Sequence, residues 1–175
     1  MRPKGVVVTP WKIAVICLPI FLVSCDSRQI EVATDAMAPV MKIGDRCEVE
    51  PIGDSGINRF DIVLHKIPES ENEAALTKGA TLAHRVIGMP NEVIEIKANE
   101  VFVNGAAIDP EFDVRVSETD LKLDFGPVKL PPESFFLLGD NRPRSLDSRY
   151  YENPGVRREN IVGRIGSCTK SDNGQ

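Results

Sequence analysis

Val93-Ile94-Glu95-Ile96-Lys97, then Ala98-Asn99, then Glu100-Val101-Phe102-Val103, closed by Asn104-Gly105, is the stretch that decides the fold. Ile94 and Ile96 alternate with Glu95 and Lys97, and Val101 and Val103 alternate with Glu100 and Phe102. A period of two puts these apolar side chains on one face of an extended chain, as in a strand with one buried side. Two residues separate the runs, which is hairpin spacing, and Asn104-Gly105 suits a type I′ turn because both residues accept positive φ. The same grammar recurs outward at residues 29–33, 46–51, 60–66, 82–88, 134–138 and 161–167, punctuated by Gly, Pro, Asn and Asp clusters. From Gln29 onward no stretch repeats apolar residues at helical spacing over three turns. The expected fold is all-β, an antiparallel sheet or barrel. Residues 68–79, with Glu69, Glu71 and Glu73, read as an acidic loop, and the irregular acidic stretch 108–132 as a solvated excursion.

Of 175 residues, 42% are apolar and 27% charged, which fits a globular chain of one principal domain. The first 24 residues carry Arg2, Lys4 and Lys12 and no acid, so without them the formal charge of −5 becomes −8. A body so acidic is repelled by phosphate backbones, and no basic stripe with aromatics appears, so nucleic acid is not an expected partner. Two histidines and four scattered cysteines, with no CxxC pair and no HExxH, argue against a metal site. No cofactor is implied.

The N-terminus reads as an export signal: a basic start, an apolar run over residues 13–23 broken only by Pro19, then Ser24 and Cys25. A spanning helix needs roughly 20 apolar residues, so the run is short for a permanent anchor. Leu22-Val23-Ser24-Cys25 resembles the lipobox of bacterial lipoproteins, in which the cysteine is diacylated and the peptide is cut just before it. The resemblance implies a signal segment over 1–24, a domain over 25–175, lipid on Cys25 and a body on the extracytoplasmic face of a bacterial membrane. An uncleaved N-terminal anchor is the other reading. Asp26 resembles the residue that keeps enterobacterial lipoproteins at the inner membrane. Cys17 would be lost with the signal; Cys47 and Cys168 are expected as buried free thiols, with pairing in an oxidising compartment as the other reading, since the sequence does not give their separation.

Four blocks in fixed order carry a further resemblance. The first is Thr34-Asp35-Ala36-Met37-Ala38-Pro39, followed by Ile43-Gly44-Asp45-Arg46. The second is Phe60-Asp61-Ile62-Val63-Leu64, and the third is His84-Arg85-Val86-Ile87-Gly88-Met89-Pro90. The fourth is Gly139-Asp140-Asn141-Arg142-Pro143-Arg144-Ser145-Leu146-Asp147-Ser148-Arg149. Together they resemble the type I signal peptidase (leader peptidase) family: its Ser-x-Ser-Met-x-Pro block, its Gly-Asp-Ile-Val strand, its Lys-Arg-Val-Ile-Gly-Leu-Pro strand and its Gly-Asp-Asn-Arg-x-x-Ser-x-Asp-Ser-Arg loop.

That resemblance implies acyl transfer to a serine hydroxyl, an uncharged lysine amine as general base, and hydroxyl and backbone donors around the oxyanion. Carried over residue by residue, the nucleophile falls on Ala36, the base on His84, the oxyanion hydroxyl on Thr34 and the base-orienting hydroxyl on Ser145. Ala36 departs decisively, because a methyl group cannot attack a carbonyl, and no serine lies between Ser27 and Ser55 to replace it. His84 departs less, since the endoplasmic-reticulum branch of the family uses histidine, and imidazole serves as a base near neutral pH.

Plainer readings stand beside these. Asp140, Asn141, Arg142, Asp147 and Arg149 are read as scaffold, an Asx turn and an ion pair bracing the loop, which is also their place in the family. His84 alone on an alternating strand could be a tolerated polar residue. Met37 and Pro39 could be core and turn residues rather than groove lining. An Asp35–Asp140 carboxylate dyad lacks the Asp-Thr-Gly loops of aspartic proteases, and Thr34 is a secondary alcohol already assigned to the oxyanion. The expectation is a membrane-tethered signal-peptidase-like protein without hydrolytic activity, a binding or assembly factor for exported polypeptides or signal peptides. The competing expectation is an active serine-type endopeptidase that processes exported preproteins.

Overall fold

The computed structural model describes residues 28–54, 56–67, 80–109, 112–116 and 124–171. The signal segment 1–24, Cys25, Asp26 and the acidic loop 68–79 lie outside the described residues.

Among the described residues eleven strands form two antiparallel sheets. They are β1 (Arg28–Glu31), β2 (Arg46–Glu50), β3 (Ile62–Lys66), β4 (Thr81–Gly88), β5 (Val93–Lys97), β6 (Glu100–Val103), β7 (Ala106–Ala107), β8 (Phe125–Lys129), β9 (Ser134–Leu138), β10 (Val156–Arg157) and β11 (Ile161–Thr169). The larger sheet runs β1-β2-β11-β3-β4-β9-β10 and the smaller β7-β6-β5-β8. Helical structure among the described residues is confined to two single turns, Arg142–Arg144 and Arg158–Asn160. The all-β expectation is met.

The deciding stretch folds as its alternation requires. β5 and β6 pair with Lys97 opposite Glu100, and Ala98 and Asn99 both take positive φ, 50° and 71°. Asn104 and Gly105 do the same, at 52° and 82°, so two primed turns follow each other. Alanine is strained there. Its amide donates to the Asp124 carboxylate at 2.8 Å, one interaction that holds the turn. Ile94, Ile96, Val101 and Val103 face a core completed by Ile87, Leu130, Phe136 and Leu138.

The middle of the large sheet is covered on both faces. Val63 belongs to a cluster with Val86, Leu137, Val156 and Ile161, while its neighbour Leu64 belongs to another with Met37, Met41, Val49 and Ile165. Every residue of β9 is buried, which is why Phe135-Phe136-Leu137-Leu138 reads as an unbroken apolar run rather than an alternation.

Two expectations need correction. Cys47 and Cys168 are joined in a disulfide: β2 and β11 pair with these two residues directly opposite, their Cα atoms 4.0 Å apart, so the thiols meet across the ladder. The stretch 108–132 is not simply a solvated excursion. It supplies β8, which pairs with β5, and Ile108, Phe112 and Leu130, which pack onto the core of the smaller sheet. Gly126-Pro127 inside that segment masked the strand, because proline does not belong in a ladder interior, and here β8 occupies a sheet edge.

Candidate active site

The four sequence blocks converge at one end of the large sheet. The loop after β9 folds back over the strand that precedes it. Ser148 Oγ accepts from the Leu137 amide at 2.9 Å, and an Asp147 oxygen accepts from the Gly139 amide at 3.0 Å. Asp147 is fully buried, so its charge needs a partner, and Arg149 supplies one at 2.7 Å. Asp140 pairs instead with Arg85 of β4, through contacts of 2.9 and 2.5 Å, and so ties the loop to the third block. Burial pulls the Arg142 guanidinium down to about 10, and its Nε donates to the Gly139 carbonyl at 3.0 Å.

The same loop grips the first block. The Asn141 side chain donates to the Asp35 carbonyl at 3.0 Å and its backbone amide to the Ala36 carbonyl at 2.9 Å. Arg144 meets the Asp35 carboxylate at 2.6 Å, and this hydrogen bond holds the Asp35 carboxyl below the usual range. Asp35 and Asp140 are thus each committed to an arginine, which removes the basis for a dyad.

Ala36, Met37 and Ala38 are buried, whereas Thr34 is exposed. Thr34 and Met37, on either side of Ala36 in sequence, line a cavity of about 350 Å³ whose other walls include Val32, Leu64, Leu82 and Ala83. Met37 therefore serves both readings, packing into the core and lining the groove, while Pro39 borders a neighbouring surface depression with Lys42 and Ile43.

Behind this groove His84 is fully buried on β4. Its Nε2 lies 3.2 Å from the Ser145 hydroxyl, so the structure brings together the positions matched to the base and to its orienting hydroxyl. A Cβ built on Gly139 would lie 2.3 Å from Ser145 Oγ and 2.6 Å from the Ala36 carbonyl oxygen, so the hydroxyl and position 36 meet over that one glycine. Only the absence of a side chain there allows the approach. Ser145 is itself only 5% exposed, closed in rather than presented to the groove.

His65 was not singled out in the sequence. It sits on β3, where its Nε2 lies 2.9 Å from Nδ1 of His84. The available signal was its place in the alternation, two residues from Val63 on a face that otherwise carries apolar side chains. Burial pushes the His84 imidazole down to about 4, against a smaller upward pull from Asp147. Burial and the neighbouring His84 push His65 down to about 3. Both rings are neutral at pH 7, so His84 has the lone pair a general base needs. Among the described residues no group of three or more His, Cys, Asp or Glu could hold a metal ion, and no helix is long and apolar enough to cross a membrane.

Comparison with known proteins gives the family of the chain. The chain is 30% identical over 135 residues to signal peptidase I of Leptolyngbya laminosa, covering 76% of this chain and 64% of that protein. It is 36% identical over 122 residues to signal peptidase I V of Bacillus subtilis, covering 64% of this chain and 66% of the relative. The chain thus spans somewhat under two thirds of the length of these relatives. The crystal structure of a signal peptidase I from Enterococcus faecalis superposes with a TM-score of 0.51 at 28% identity, covering 63% of this chain and 97% of that one. The family profile described as signal peptidase, peptidase S26, matches residues 6–169, nearly the whole sequence, and the chain belongs to that family.

Proposed function

We propose that this protein is a membrane-tethered member of the signal peptidase family that has lost peptide-bond hydrolysis and holds exported polypeptides in its groove as a binding or assembly factor. The observation that carries this reading is Ala36. Its side chain is a methyl group with no atom able to attack a carbonyl. Yet the segment bearing it is still held by Asn141 at 2.9 and 3.0 Å beside an open, largely apolar cavity. An extended peptide with small apolar side chains fits a groove of that size and lining, where the surrounding strands offer backbone partners. The tether is the lipid on Cys25, set by the short apolar run and the lipobox-like tripeptide before it. The body then lies on the extracytoplasmic face of a bacterial membrane.

The test uses the full chain in detergent micelles and synthetic peptides covering the cleavage regions of exported precursors. Retention of intact peptide, lost when Ala83→Trp fills the groove, is the expected result. Absence of any retention overturns the binding role. Cleavage that disappears with His84→Ala overturns the loss of hydrolysis and makes the protein an active peptidase with a hydroxyl other than one at position 36. Intact-mass measurement tests the tether: loss of residues 1–24 with added acyl mass supports it, and an unmodified full-length chain refutes it.

A further inference from the structure

The hydrogen bonds between β3 and β4 have a direction, and that direction is set at one end by a backbone carbonyl. His65 Nδ1 lies 3.0 Å from the carbonyl oxygen of Lys66, which can only accept, so Nδ1 carries the hydrogen. In a neutral ring Nε2 of His65 is then bare. It faces Nδ1 of His84 at 2.9 Å, so that nitrogen must be the protonated one and donates. Nε2 of His84 is left with its lone pair, 3.2 Å from the Ser145 hydroxyl, which donates to it.

We infer that His65 is a positioning residue: through this chain of hydrogen bonds, anchored on the Lys66 carbonyl, it holds His84 in the tautomer whose bare Nε2 faces Ser145 and the segment carrying Ala36. A carboxylate does this for histidine in many serine hydrolases; here a neutral imidazole does it, which suits a site where both rings are fully buried and a charge would be costly. Without an acceptor at His65, the Nδ1–H of His84 would be a buried donor with no partner, or the ring would move its proton to Nε2 and donate to Ser145 instead. The second outcome would abolish the lone pair facing the site.

The surroundings allow the neutral arrangement. From the loop after β9, the Asp147 carboxylate pulls a proton towards His84 and the Arg149 guanidinium opposes it, and those two groups are paired with each other at 2.7 Å. Tyr151 presents its ring edgewise to His65 with centroids 6.4 Å apart. Lys66 contributes its carbonyl to the chain, while the residue as a whole is exposed. This inference stands apart from peptide binding, since it concerns the state of two rings in the unliganded chain.

The test is ¹⁵N NMR of the imidazole rings in the intact protein at pH 7. Both rings are expected as neutral Nδ1–H tautomers, with a through-hydrogen-bond coupling between His65 Nε2 and His84 Nδ1. His65→Phe, similar in bulk but without an acceptor, should lower the ratio of Nδ1–H to Nε2–H on His84 at least tenfold, and His65→Gln, which keeps an acceptor, should restore most of it. A native His84 found as the Nε2–H tautomer overturns the inference, as does a ratio in His65→Phe within twofold of the native one. Should His65→Phe fail to fold, the coupling and tautomers of the native chain decide by themselves.

Discussion

Asn141 holds two successive carbonyls of one segment, Asp35 through its side chain and Ala36 through its backbone amide. The fourth sequence block therefore sets the position of the first, across more than a hundred residues of chain. The backbone bond to Ala36 survives any substitution at 141 that keeps the loop, whereas the bond to Asp35 needs the amide side chain. Asn141→Ala should lower stability by about 1 kcal/mol, the usual net worth of one hydrogen bond. Hydrogen exchange checks it: faster exchange at residues 36–41 is expected, with the β5–β6 hairpin unchanged.

Ala36→Ser should create measurable but slow cleavage of a precursor peptide, slow because Ser145 already donates to the Nε2 lone pair that the new hydroxyl needs. Adding His84→Ala should then remove roughly two to four orders of magnitude, the usual share of a general base. The pH profile has a definite sign. Only neutral imidazole accepts the serine proton, so activity is lost as pH falls through the folded pKa of His84. Burial has moved that to about 4, so the rate should hold well below pH 6.5. A midpoint near 6.5 would show that the base is more open to water than its position on β4 implies.

Gly139→Ala tests the close approach above that glycine. The added methyl would sit 2.3 Å from Ser145 Oγ and 2.6 Å from the Ala36 carbonyl oxygen, and the second of these is backbone already bonded to Asn141. Overpacking of this kind costs about 1–3 kcal/mol. Thermal denaturation should show the loss, and the Ser145 contact to His84 should lengthen in a crystal structure of the variant.

Acid should destabilise the fold from about neutrality downward. His65 and His84 have folded pKa values of about 3 and 4, below the ordinary 6.5, so between those limits the unfolded chain binds protons that the folded chain refuses. Stability therefore falls as pH drops through that window, by an amount on the order of a few kcal/mol. Urea midpoints at pH 7.5 and 4.5 measure it, and His65→Leu should flatten the slope. The Asp45 carboxyl, held low by the Lys42 and Ser171 amides, acts in a more acidic range that meets only the lower end of the His65 window: its contribution is present above 3.8 and lost as pH falls through its lowered folded value.

Reduction of the Cys47–Cys168 bond should lower unfolding free energy by about 2–4 kcal/mol, since it closes a loop with a sequence separation of 121. Comparing denaturant midpoints with and without reductant checks this. Cys168→Ser should match the reduced protein and respond to reductant no further.

What the sequence made legible was what local apolar patterning controls, whether alternating or unbroken. Residues 93–97, 100–103 and 134–138 fold as strands with those very bounds, and the other expected strands shift by one or two residues at their ends. What stayed hidden depends on which strands become neighbours. Cys47 and Cys168 pair only because β11 lies against β2, a fact no window of sequence holds. His65 was passed over for the same reason: its partner is a residue of the adjacent strand, offset diagonally from it in the β3–β4 register. The four family-like blocks led to Ser145 and His84, whereas the third member of the hydrogen-bonded chain lies just beyond the end of the second block.

The strand order β1-β2-β11-β3 has a consequence for the making of the molecule. Strand β11, made about a hundred residues after β2 and β3, is inserted between them, so the large sheet cannot close while the ribosome still holds residues 161–169. Until then β2 and β3 each present an unpaired edge, and the two halves of the sheet have no common strand to join them. A chain released before Ile161 would keep both edges open at once. Closure of the large sheet is thereby tied to synthesis of β11, and a product truncated before it would be marked for aggregation or degradation instead of persisting as a partial copy.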